Sequence, residues 1–116
     1  MAGVCEAMNL GEALGVNPIV LADVMNTSTG KCWSCEVDNP HPAVAAIRGS
    51  PAANNYEGGF ATKLMLKDLK LAAAAGSDAN VALPITSAAT QLYQLADRRG
   101  FSEKDFGVLL RYLQGH

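Results

Sequence analysis

Apolar residues recur along this chain at helical rather than strand spacing. From Met1 to Leu14 alanine, methionine and leucine dominate, Glu6, Asn9 and Glu12 are the clearly polar positions, and Gly15 stands where a left-handed cap would close a helix. Asn17-Pro18 is a restart signal, a side-chain cap followed by a proline whose missing N–H costs nothing in the first turn. The helix it opens carries Ile19, Val20, Val24 and Met25 and breaks at Thr27-Ser28-Thr29-Gly30. A short helix through Cys32–Cys35 follows, ending before Asn39-Pro40-His41-Pro42. From there to Gly59 the chain is rich in Pro, Gly, Ala and Asn and reads as one long loop. Irregular loops beyond about 12–15 residues are uncommon in compact domains and are usually functional. Phe60–Ala75 is the strongest helix, closed by Gly76-Ser77-Asp78; Pro84 opens another to Arg98 or Arg99, closed by Gly100. Ser102 with Asp105 imitates a capping box ahead of a last helix to about Leu113. No segment alternates with period two. The pattern predicts an all-α domain of five to six helices.

Composition narrows the class. The 116 residues suit a single domain, 1–116, with hydrophobic residues at 49% and charged residues at 17%, below the usual quarter. That excludes disorder, and so little charge implies more buried surface than a free monomer would have. A net charge of −2 argues against a nucleic-acid partner. No apolar run approaches the roughly 20 residues of a membrane span, and the N-terminus lacks the basic region of a secretory signal. The first helix opens on Met1-Ala2-Gly3 without a cap, as a helix cut from a longer one would. Three cysteines, an odd number, indicate a reducing compartment.

Candidate chemistry is sparse. Cys32-Trp33-Ser34-Cys35 matches C-x-x-C, but no strand context supports a redox motif, and Cys5, His41 and His116 lack metal-ligand spacing. The plain reading is small buried thiols beside a core tryptophan. His41 and His116 offer no triad, and Gly58-Gly59 is too little to cradle a phosphate. The informative feature is one helical stripe, Lys63, Lys67 and Lys70, which Phe60 extends towards the N-terminus. Phe60, Leu64 and Leu71 flank Lys67, so its stem is expected along apolar surface with the ammonium presented; Asp68 points to an adjacent flank. A cationic stripe after an amide-rich loop suits a small anion, against the bland alternative of a solvated face.

Four stretches carry a resemblance over essentially the whole chain. Glu6-Ala7-Met8-Asn9-Leu10-Gly11, Gly30-Lys31-Cys32-Trp33-Ser34, Ala53 through Phe60, and Leu64 through Ala72 resemble the C-terminal helical domain of the 3-hydroxyisobutyrate dehydrogenases, a branch of the β-hydroxyacid dehydrogenase family. Cys35 departs from the Cys-Trp-Ser-Ser of these relatives. The resemblance implies NAD-dependent oxidation of 3-hydroxyisobutyrate to methylmalonate semialdehyde in valine breakdown. It also implies a Rossmann domain and a general-base lysine upstream of Met1, so that no catalytic residue lies within these 116 and the isolated chain is expected to be inactive. By the same resemblance Lys67 matches the lysine that reaches the cofactor, Phe60 and Asp68 match positions lining the interdomain cleft, and Asn54 and Asn55 belong to the neighbouring loop.

The implied partners are a small hydroxy-acid substrate, the chain's own Rossmann domain and further copies of itself, as a dimer or higher oligomer through this domain, with Gly3 and Gly11 allowing close approach and Val4 and Met8 packing. The implied compartment is the mitochondrial matrix in a eukaryote and the cytoplasm in a bacterium. The rival readings are a standalone helical protein-interaction domain and, third, a thiol-redox or metal module.

Overall fold

Seven α-helices and no β-strand make up the computed structural model, which describes all 116 residues. They are α1 (Ala2–Ala13), α2 (Pro18–Asn26), α3 (Trp33–Glu36), α4 (Pro42–Arg48), α5 (Thr62–Asp78), α6 (Pro84–Ala96) and α7 (Leu109–Leu113). Tight 3-10 turns lie at Pro51–Asn54 and Phe106–Val108, and a π turn containing Gly100 at φ +97° ends α6. The all-α class holds, with more helices than the five to six expected. The extra one is α4, inside the stretch that reads as a loop.

Local signals explain most boundaries. Gly15, at φ +82°, donates to Glu12 O while Val16 N–H reaches back to Gly11 O, both at 2.9 Å, closing α1 as a Schellman motif. Asn17 Oδ1 accepts the N–H groups of Ile19 and Val20 at 2.9 and 3.2 Å, and Pro18 fills the first position of α2. α5 begins at Thr62 and runs through Gly76 to Asp78. Gly76 therefore does not cap it; a Cβ there would lie 2.5 Å from Leu83 Cδ1, so glycine lets the following turn fold onto the helix. The left-handed residue that ends α5 is Asn80, at φ +55°.

The core forms where the two ends of the chain meet. Val4, Cys5 and Met8 of α1 cluster with Leu109 and Leu110 of α7, joined by Tyr93 and Phe106. Val4 and Met8 are thus buried inside the chain, and Leu21 of α2 packs on Gly11, so neither the pair nor that glycine is left for a second copy. A smaller cluster of Ala45, Ala52, Tyr56 and Val108 anchors α4. No helix is long and apolar enough to cross a membrane.

Candidate functional site

The approach to α5 is built from residues with positive φ. Asn55, Tyr56, Gly58 and Gly59 all adopt it, and the turn lays Phe60 and Ala61 beside Lys104–Phe106. Asp105 N–H donates to Tyr56 O, Phe106 N–H to Phe60 O and Thr62 N–H to Lys104 O, each at 2.8 Å. The Asp105 carboxylate then accepts the N–H groups of Phe60 and Gly107, both at 2.9 Å. Burial pushes the Asp105 pKa up, and these backbone donors draw it back. Asp105 therefore caps the Phe106–Val108 turn and pins Phe60 instead of completing a capping box; Ser102 donates to Asp97. Phe60 lies ahead of α5 and does not extend the lysine stripe.

Pinned in this way, Phe60 meets Phe106 edge to face, with centroids 5.9 Å apart, at one wall of a cleft of about 360 Å³. Trp33 and Val37 line it from the α3 side, and Ser50 and Pro51 close it below. Trp33, expected in the core, is 60% exposed. A four-residue helix carries too little periodicity to say which way its first side chain faces. Asp38 also lines the cleft. It is only 6% exposed, and its carboxyl forms no hydrogen bond or ion pair with the chain. Burial and the Asp105 carboxylate push its pKa up to about 6, against the pull of the Met1 ammonium.

The segment behind Asp38 is held rigidly. Ser50 Oγ donates to Asn39 O and Tyr56 Oη to Pro40 O, both at 2.7 Å. His41 is structural: its Nδ1 accepts Ala43 N–H at 3.2 Å and caps α4, while Nε2 lies 3.3 Å from Glu12 Oε1.

The lysines line a second hollow, of about 490 Å³, on α5. Lys63, Lys67 and Lys70 share it with Leu66 and Leu71, and Asp97 and Ser102 form another part of its lining. Lys63 pairs with Glu103 at 2.5 Å, and Lys67 with its neighbour Asp68 at 3.4 Å. The Lys67 and Asp68 side chains are 60% and 52% exposed. The ammonium is thus presented, on a stem beside Leu71 as the sequence suggests. Asn54 is exposed in its 3-10 turn, and Asn55 Oδ1 accepts from Arg111 Nη1 at 2.5 Å. Neither asparagine lines a hollow. The structure therefore puts Phe60 in the aromatic cleft, Lys67 in the lysine hollow with Asp68 at its side, and the two asparagines on an exposed turn.

The cysteines are unpaired, with Cys5 and Cys35 buried and Cys32 exposed. Burial pushes the Cys5 thiol up to about 12 and raises Cys35, so both buried thiols stay protonated and poorly nucleophilic. No three His, Cys, Asp or Glu residues converge as metal ligands would.

Comparison with known proteins agrees with this architecture. A family profile described as the NAD-binding domain of NADP-dependent 3-hydroxyisobutyrate dehydrogenase matches residues 1–113. The mitochondrial 3-hydroxyisobutyrate dehydrogenase of Homo sapiens is 44% identical over 114 residues, 98% of this chain and 33% of that protein. The probable mitochondrial enzyme of Arabidopsis thaliana is 42% identical over 112 residues, 97% of this chain and 32% of that protein. The structure of a Mycobacterium tuberculosis 3-hydroxyisobutyrate dehydrogenase with L-serine superimposes with a TM-score of 0.87 at 34% identity, over 96% of this chain and 37% of that one. The chain spans about a third of the length of the curated relatives it matches. The helical fold, the matched profile and the relatives together place the chain in the 3-hydroxyisobutyrate dehydrogenase family of oxidoreductases.

Proposed function

We propose that this chain is the helical domain of a dehydrogenase that oxidises 3-hydroxyisobutyrate to methylmalonate semialdehyde in valine breakdown, working with a dinucleotide-binding domain and NAD. The observation that carries the reading is the cationic hollow on α5, where Lys63, Lys67 and Lys70 gather in a chain of net charge −2. A lysine ammonium on this face suits the anionic parts of a nicotinamide dinucleotide, which supplies the hydride acceptor when bound. Lys67 holds and orients the anion through a charge-assisted contact. Phe60 presents an aromatic wall that excludes water from the substrate, and Asp68 sets the position of the Lys67 ammonium. Asn54 and Asn55 offer amides at the rim of the interdomain cleft. The proton acceptor is a lysine from a preceding helix, outside these 116 residues. The Mycobacterium relative carries L-serine, itself a small 3-hydroxy acid, which supports the substrate class.

The domain also supplies an oligomer interface, and in a eukaryote it works in the mitochondrial matrix; the human and plant relatives are named mitochondrial, which supports the organelle. The test is a chimera in which this chain replaces the matching third of the human enzyme, assayed for NADH formation with 3-hydroxyisobutyrate. Turnover by the chimera, with none from the 116-residue chain alone, is expected. A folded, cofactor-binding chimera without activity would remove the reading.

A further inference from the structure

The C-x-x-C pair has a geometry that its spacing alone does not give. Cys32 is exposed while Cys35 is 0% exposed, so one thiol meets solvent and the other does not. Cys32 is the N-cap of α3, with extended backbone at φ −156° and ψ 165°, and Cys35 is the third residue of that helix. An N-cap side chain leans over the first turn, which is how a serine or threonine there reaches the third residue's N–H. Cys32 makes no such cap bond. Cys35 N–H donates to Cys32 O at 3.1 Å, closing a turn whose ends lie within about 7 Å, and a disulfide spans Cα atoms roughly 4.4–6.8 Å apart. The Cys35 sulfur is held by weak contacts, 3.9 Å from Ala22 O and 3.7 Å from Asn39 Nδ2. That amide favours the thiolate at a sulfur which burial otherwise keeps protonated. Cys5 is buried on α1, and its sulfur reaches Gly107 O at 3.9 Å.

We propose that Cys32 and Cys35 form a reversible, peroxide-responsive dithiol, in which Cys32 is oxidised first and Cys35 resolves it to an intrachain disulfide. The Cys32 thiolate attacks one oxygen of hydrogen peroxide; the O–O bond breaks, the sulfur gives up two electrons, and the other oxygen leaves as hydroxide. The Cys35 sulfur then attacks the Cys32 sulfenic sulfur. The S–S bond forms as the S–O bond breaks, and the departing hydroxide takes the Cys35 proton as water. Two thiols thus give two electrons and two protons to one peroxide, which becomes two waters. Cys35 is a poor nucleophile in bulk, and holding it one turn from its target offsets that. The bond draws the Cys35 sulfur away from Ala22 and the core cluster, so α3 and its Trp33 shift on oxidation.

The reduced 116-residue chain is treated with equimolar hydrogen peroxide, unfolded, alkylated with iodoacetamide and digested. Trypsin cuts after Lys31 and Arg48, so both cysteines share the peptide Cys32–Arg48. That peptide is expected to be unalkylated and lighter by two hydrogen atoms, with Cys5 alkylated, and dithiothreitol should restore both thiols. Trp33, the single tryptophan, lies between the two cysteines, and its emission in the folded chain should change with the bond and revert on reduction. With dimedone present to trap sulfenic acid, Cys35→Ala should raise labelling of Cys32 at least about tenfold over the parent chain. Cys32→Ser, an exposed substitution, should leave Cys35 a thiol. Cys32 stopping at sulfenic or sulfinic acid in the parent chain would overturn the proposal. So would a disulfide found only between molecules, equal dimedone labelling in the parent and a folded Cys35→Ala protein, or Trp33 emission unmoved by complete oxidation. The chemistry involves neither cofactor nor turnover, so its outcome is independent of the chimera assay.

Discussion

Asp105 Oδ2 lies 2.3 Å from the point that a Cβ on Gly59 would occupy, with Pro51 Cγ 2.7 Å from the same point. Gly59 also holds φ at +64°, so it is required twice over, by backbone conformation and by contact. Gly59→Ala must bear about 1–2 kcal/mol for the left-handed backbone and displace the carboxylate that pins Phe60. A loss of at least about 2 kcal/mol is expected in urea unfolding. Gly58→Ala, whose φ is +77° with nothing within 4 Å, should show the backbone cost alone. Equal losses at the two glycines would contradict the pin.

Asp38 makes stability depend on pH in an unusual direction. Its pKa rises from an ordinary 3.8 to about 6 in the fold, by burial and by Asp105, with the Met1 ammonium opposing. The folded state therefore holds a proton that the unfolded chain releases. This contribution is complete below about pH 4 and is lost as pH rises to 6, up to about 3 kcal/mol in all. Urea unfolding from pH 4 to 7.5 should show Asp38→Asn gaining on the parent chain across that window. A constant difference between the two would show that Asp38 titrates normally.

What the sequence disclosed depended on whether a signal was local. Asn17-Pro18 and Gly15 act within one turn, and both boundaries came out as read. α4 escapes the reading because its cap is an imidazole and the Asn39-Pro40-His41-Pro42 run ahead of it looks like loop, although Pro42 holds the same first position that Pro18 holds in α2. Gly76 looks like a stop, yet its role depends on Leu83 folding back. Val4 and Met8, expected to pack against a second copy, pack instead inside the chain against α7, about a hundred residues away. The same limit applies to the site. Lys63, Lys67 and Lys70 share a face because helical spacing requires it, whereas Phe60 reaches Trp33 and Asp38 only through the tertiary fold, in which Asp105 holds the Phe60 N–H.

Self-association remains expected, through a different surface. Only 27 of the 116 residues are buried, and Leu10, Leu14, Leu71 and Ile85 are each more than 60% exposed, which leaves apolar side chains for a second copy to cover. Light scattering over a dilution series should give a dimer, the commonest closed assembly. Charged substitutions at Leu14 and Ile85 should shift it towards monomer. A monomer persisting at high micromolar concentration would remove the proposed interface.

The central claim is that Lys67 presents the charge this domain contributes to catalysis. Lys63 pairs with Glu103, Lys67 with Asp68 and Lys70 with no carboxylate, so pairing does not choose among them; Lys67 is singled out by its match to the family lysine that reaches the cofactor. The decisive measurement is kcat/KM for Lys63→Ala, Lys67→Ala and Lys70→Ala in the chimeric dehydrogenase. A charge-assisted contact of about 1.5–3 kcal/mol predicts a loss of about 10- to 150-fold for Lys67→Ala, with much smaller losses at the other two. Equal, small effects at all three would contradict the account and leave α5 with no more than a solvated face.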